Sequence, residues 1–230
     1  MMRILLPLSF VLIFPGAGCQ GPSTGASTDP GTTQAIRPFD AGDARMGDSL
    51  IKAMGPLAGK VVADLYADDG YYTWKLLGAG ARVLAMEDDP AQAAALEARK
   101  KSEGIGDDRL LVRLVPAGTV GLLPGEADLA LVTREYSTLG DRGAWIKELM
   151  AGIKEPHLFY LVNYLPVPSP SGPPLSQRME FDRVADELMT FGVDDVGILY
   201  KTLPDRYILF GSKPPVFESP DTDQVAPPSN

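Results

Sequence analysis

The sequence predicts an α/β fold: a doubly wound, mostly parallel sheet of seven strands that closes in an antiparallel edge hairpin. Three observations predict it. Short, almost continuously apolar runs recur along the chain, as strands buried on both faces do. Segments with helical apolar spacing lie between them. The last two apolar runs are separated by a turn alone, which demands antiparallel pairing, whereas the earlier ones are separated by crossover-length segments.

The strands are expected at 61–65, 82–86, 110–115, 127–132 and 158–164. Residues 91–101 are Ala-rich and end in Arg99-Lys100-Lys101, a charge bias that suits a helix C-terminus, and Gly104 offers a stop. Trp145, Leu149 and Ile153 recur at helical spacing behind Asp141, a candidate N-cap. Phe181, Val184, Leu188 and Phe191 mark a further amphipathic helix closed by Gly192. Runs at 196–201 and 206–211 then form the hairpin across Thr202-Leu203-Pro204-Asp205.

Composition bounds the function. The chain has 230 residues, 45% of them hydrophobic, which suits one domain with tails. Mean hydropathy near zero and 22% charged residues exclude a multi-span membrane protein and a wholly disordered chain. A net charge of −9 argues against nucleic acid as a partner, because phosphate binding needs clustered Lys and Arg. A single cysteine, Cys19, cannot form an internal disulfide or a Cys-based metal site.

The N-terminus explains that cysteine. Arg3 precedes an apolar run over residues 4–14, then the small residues Gly16-Ala17-Gly18, then Cys19. A basic start, an apolar segment too short to span and a small-residue cleavage site form a secretion signal. The cysteine placed directly after them resembles the bacterial lipobox, with Gly16 where that pattern usually has Leu. The resemblance implies a signal peptide over 1–18, acylation of Cys19 and anchoring in a lipid bilayer. Gln20 in place of Asp implies, by the sorting rule of enteric bacteria, the periplasmic face of the outer membrane in the cell envelope. Residues 19–43 read as the lipidated cysteine and a flexible Gly/Ser/Thr/Pro tether. Residues 44–213 form the folded domain, and 214–230 a Pro-rich, acidic, disordered tail.

In an open α/β sheet, ligands sit beyond the carboxyl ends of the strands. There the chain reads VVADLYADDGYYTWKLL, and the next strand ends VLAMEDDP. These stretches resemble class I S-adenosylmethionine-dependent methyltransferases, a Rossmann-like family whose first motif runs strand–Asp–x–Gly–x–Gly–x–Gly–helix. The resemblance covers most of 44–213, including a lead-in helix over 45–54, the Gly59-Lys60 turn and the closing hairpin. It implies S-adenosylmethionine as cofactor, with Asp64, Tyr66, Asp68 and Gly70 at the motif positions and Glu87 on the ribose hydroxyls. Tyr66 and Asp68 replace the first two glycines, whose lack of Cβ permits close approach of the backbone to the cofactor. After the third strand comes Val115-Pro116-Ala117-Gly118. After the fourth, Tyr136-Ser137-Thr138-Leu139 stands where some relatives carry Tyr-His-His-Leu, so no histidine base is supplied. No catalytic residue and no metal set is assigned.

Asp68, Asp69, Glu87, Asp88 and Asp89 gather at the ends of the first two strands; they either hold a hard cation or an amine, or face solvent with Asp89 capping a helix. His157, the only histidine, is expected to pack rather than react. Tyr71, Tyr72 and Trp74 either stack on a ligand or bury against the sheet. The proline-rich 166–174 serves as a stiff lid, a docking segment or a plain connection. Two functions are expected to compete. One is an envelope binding or scaffolding module on a fold that has lost its cofactor, for a protein or small-ligand partner; export away from cytoplasmic S-adenosylmethionine favours it. The other is an active methyltransferase.

Overall fold

The computed structural model describes residues 46–170 and 172–214. The signal segment, Cys19, the whole tether and residues 215–230 lie outside the described residues. No helix among the described residues is long and apolar enough to cross a membrane.

The seven expected strands form one sheet: β1 (Val61–Leu65), β2 (Arg82–Glu87), β3 (Leu110–Leu114), β4 (Leu129–Val132), β5 (Phe159–Tyr164), β6 (Asp195–Leu199) and β7 (Arg206–Ser212). Their order is β3-β2-β1-β4-β5-β7-β6. The first five are parallel; β7 runs antiparallel to both β5 and β6. The reversed strand therefore sits one place in from the edge, and β6 is the edge itself. Strand order reverses between β1 and β4, which opens the switch point at their carboxyl ends.

Side-chain alternation sorts the strands' apolar residues into two layers. Ala63, Leu65, Leu84, Met86, Ala130, Val132, Phe159 and Leu161 face one core. It is covered by Trp145, Ile146 and Leu149 of α4 (Arg142–Gly152) and by Val184 and Leu188 of α5 (Phe181–Thr190). Val62, Val83, Ala85, Leu129, Leu131, Tyr160 and Val162 face the other. There they meet Leu50 of α1 (Gly47–Ala53), Leu76 of α2 (Tyr71–Gly78) and Leu96 of α3 (Pro90–Ser102). Asp89 caps α3 through Ala91 N, and Asp141 caps α4 through Ala144 N, as their positions predict.

Several strand ends differ by one or two residues from the sequence pattern, β4 starting at Leu129 and not at 127, and two differences have a clear physical reason. Ile153 leaves α4 as an extended residue and bridges to Ala127, so its apolar side chain serves the sheet side of the core and not a helix turn. The closing hairpin is looser than a tight turn: β6 ends at Leu199, and the 200–205 link buries Leu203 in the second core.

Candidate functional site

β1 delivers Asp64 to its carboxyl end, almost fully buried. Its Oδ2 accepts a hydrogen bond from Thr73 Oγ1 at 2.6 Å, tying β1 to the first turn of α2. Its Oδ1 has no partner among the described residues. Burial pushes the carboxyl up to about 7 even against the Thr73 hydrogen bond, and Asp68, Glu87 and Asp69 add like-charge repulsion.

The loop after β1 keeps the backbone of a glycine loop without most of its glycines. Tyr66, Asp68 and Gly70 all adopt left-handed φ values, +60°, +48° and +76°. Tyr66 N and Ala67 N both donate to Met86 O of β2, at 2.8 and 3.2 Å, which holds the turn against its neighbour. Gly70 is required for packing, since a Cβ there would lie 2.6 Å from both Leu96 and Trp74 side chains.

Tyr66 is only 3% exposed. The Arg134 guanidinium lies 3.5 Å from its ring centroid. The Trp145 ring stacks 6.3 Å away at 14°, and Trp145 Nε1 donates to Tyr66 Oη at 3.1 Å. Arg134 in turn makes a bidentate pair with Asp88, 2.7 and 2.8 Å, and that guanidinium holds the Asp88 carboxyl below the usual range. Arg134 follows β4 and Asp88 follows β2. Because β1 lies between those strands, the ion pair spans the loop that carries Tyr66.

Glu87 is fully buried and accepts three backbone hydrogen bonds. Its Oε2 accepts from Asp68 N at 2.7 Å, and its Oε1 accepts from Asp88 N and Asp89 N at 2.9 and 3.0 Å. Burial and the Glu87 carboxylate beside it raise Asp68 to about 6. Asp69 accepts from Tyr71 N, and Asp89 from Ala91 N. The carboxylates of Asp69, Glu87, Asp88 and Asp89 thus serve separate partners, and no group of three or more His, Cys, Asp or Glu among the described residues is placed to hold a metal.

The remaining candidates are structural. Tyr71 Oη accepts from Gly47 N, Tyr72 Oη from Arg206, and Trp74 Nε1 donates to Glu103. His157 Nδ1 lies 2.8 and 2.7 Å from the Met150 and Ile153 carbonyls, closing the end of α4. The proline-rich loop is tied by Arg178, which donates to the carbonyls of Leu165, Val167 and Pro173.

No family model matches the chain. A tRNA U34 carboxymethyltransferase from Serratia proteamaculans is 40% identical over 73 residues, 31% of this chain and 21% of that protein. The chain therefore spans about a fifth of the length of that curated relative. A SAM-dependent methyltransferase from Aquifex aeolicus superposes with TM-score 0.66 at 15% identity, covering 73% of this chain and 89% of that one. The fold is that of the SAM-dependent methyltransferases. A possible exported protein from Bordetella parapertussis shares it, with TM-score 0.58 and 15% identity over 74% of this chain and 67% of its own.

On this methyltransferase fold, several groups at the position where the sequence resemblance places S-adenosylmethionine are engaged by the chain itself. The acid expected on the ribose has both oxygens committed to three backbone amides, and the first glycine position carries a buried aromatic ring under an ion pair. Asp64, Tyr66, Asp68, Gly70 and Glu87 lie at the carboxyl ends of β1 and β2. Arg134 and Trp145 were not foreseen as their partners. A charged residue just past an apolar strand, on the ligand side of a methyltransferase fold, was the available signal for Arg134.

Toward β5 and β7 the rim is less spent. Glu135 is pushed up to about 7 by burial, with a hydrogen bond from Tyr164 N working against the shift. Asn163 Nδ2 and Arg206 Nε, like Asp64 Oδ1, are buried without a hydrogen bond among the described residues. Arg206 Nε has Asp205 at 3.7 Å as its electrostatic neighbour.

Proposed function

We propose that the chain is a lipid-anchored envelope protein whose methyltransferase-fold domain works as a binding or scaffolding module and not as a methyltransferase. One observation carries this reading: Tyr66 lies buried beneath the Arg134–Asp88 pair while Glu87 is consumed by backbone amides. A fold does not fix an activity; the site does. The lipobox-like Gly16-Ala17-Gly18-Cys19 supports the anchor, and a structural neighbour described as exported agrees with it.

The test is calorimetric titration of S-adenosylmethionine and S-adenosylhomocysteine into the soluble chain from residue 20 onward. No binding heat is expected, and micromolar affinity for either overturns the reading. For the anchor, Cys19→Ser is expected to move the protein from the membrane to the soluble fraction; continued membrane association defeats it.

The second reading is an active S-adenosylmethionine-dependent enzyme with its acceptor left open. The retained Asp64–Thr73 pair and the unspent polar atoms near β5 and β7 favour it. The cofactor would supply the methyl group. The chain's own residues would contribute position and exclusion of water more than a strong acid or base.

A further inference from the structure

Far from the β1–β2 rim, the sheet ends at β6, which pairs with β7 and with no other strand among the described residues. An edge strand offers unpaired backbone groups, and natural proteins usually blunt or cover such edges. Here a groove of about 250 Å³ runs between it and α5. Val196, Ile198 and Leu209 form its apolar floor, and Gly197 lines it as well. Gly197 is fixed by packing, because a Cβ would lie 2.1 Å from the Phe210 ring.

The helix wall is equally specific. Asp182, Ala185, Asp186 and Met189 follow i, i+3, i+4, i+7 spacing and share one face of α5, while Val184 and Leu188 are buried in the core. Phe181 and Ile198 are each 37% exposed, Met189 52% and Tyr200 55%, so half of the large exposed apolar residues among the described residues cluster at this edge. The groove is also acidic. Asp182 and Asp186 line it, and Asp194 and Asp195 lead into β6. None of the four forms an ion pair among the described residues; Arg183, the nearest cation along α5, reaches Glu187 at 3.7 Å instead.

We propose that this groove docks an extended, cationic segment of a partner protein, which adds to β6 as a further strand. Main-chain pairing along the free edge supplies affinity, the apolar floor accepts alternate side chains, and Asp182 and Asp186 select Lys or Arg beside them. The chain's own C-terminal residues 215–230 carry Glu218, Asp221 and Asp223 and no basic residue, so charge disfavours them as the occupant. The proposal rests on the binding-module reading but fails separately from it. Peptide binding reports on α5 and β6, whereas the cofactor titration reports on β1 and β2.

The test uses fluorescence anisotropy with a labelled peptide of alternating Lys and Val, added to the intact soluble chain. A Glu-Val peptide and the 215–230 peptide serve as comparisons. Binding of the Lys-Val peptide is expected to weaken about tenfold in Asp182→Asn/Asp186→Asn, roughly the effect of losing two exposed charge contacts. Glu97→Gln/Asp108→Asn, with the same charge change elsewhere, is expected to leave it unchanged. Hydrogen exchange of the β6 amides is expected to slow on binding. No binding, equal binding of either comparison peptide, equal loss in the control variant, or unprotected β6 amides would each overturn the proposal.

Discussion

Two regions of this molecule treat their polar groups in opposite ways. At the carboxyl ends of β1, β2 and β4, Glu87, Asp88 and Asp89 spend their oxygens on the chain's own amides and on Arg134. At the α5–β6 edge, Asp182 and Asp186 line an apolar groove and form no ion pair among the described residues. The first is where the fold ordinarily places its ligand; the second has no such history in the architecture. The contrast separates two things a fold can preserve. The scaffold that presents a site is held by buried strands and two apolar cores. The site itself depends on a few side chains at the rim, and these can turn inward without cost to the sheet.

If Tyr66 closes the rim by packing, removing its ring should be the most damaging change there. Tyr66→Ala is expected to lower unfolding free energy by about 3 kcal/mol or more, the usual cost of deleting a buried aromatic. Tyr66→Gly opens the same cavity but relieves the left-handed backbone, and should recover about 1 kcal/mol of that loss. Denaturant titration of both variants checks the difference. Equal losses would mean the loop carries no strain at this position.

The comparison predicts a smaller effect from the ion pair. Arg134→Ala removes the bidentate contact and the stack, both partly solvent-screened, and should cost about 1 to 2 kcal/mol. The loss should shrink as salt is raised. A variant as stable as the parent would show that Tyr66 holds the rim alone.

The rim's acids also give the molecule a pH signature. Asp64, Asp68 and Glu135 keep their protons to about 7, 6 and 7 when folded, but release them near 4 when unfolded. Between those limits the native state binds more protons, so stability falls as pH rises from about 4 to 7. Asp88, Glu126 and Glu187, held down by Arg134, Arg113 and Arg142, act oppositely and lose their contribution only at lower pH. Thermal unfolding is therefore expected to show a higher midpoint at pH 5 than at pH 8. Asp64→Asn, which can still accept from Thr73, should flatten that slope, each pKa unit removed being worth about 1.4 kcal/mol. An unchanged slope would place the titration elsewhere.

The sheet was legible because it rests on local pattern: continuous apolar runs, caps at Asp89 and Asp141, and short links. Errors arose where one residue serves two elements, as Ile153 does in leaving α4 to bridge Ala127. The site was legible in part. Tyr66 and Asp68 could be seen to displace glycines, yet nothing in one dimension showed that Tyr66 would be roofed by Arg134, or that Glu87 would be taken by amides. Such contacts join residues far apart in sequence, and only the strand order β2-β1-β4 makes them neighbours.

The shared left-handed backbone at 66, 68 and 70 has a further consequence. The bend survives at two positions that have acquired side chains, with the Met86 carbonyl anchoring its first turn. Glycine here was a permission and not an instruction. For a protein engineer, the loop's course is therefore separable from its side chains: Tyr66 and Asp68 can be exchanged while the left-handed backbone at 66, 68 and 70 is kept as the frame.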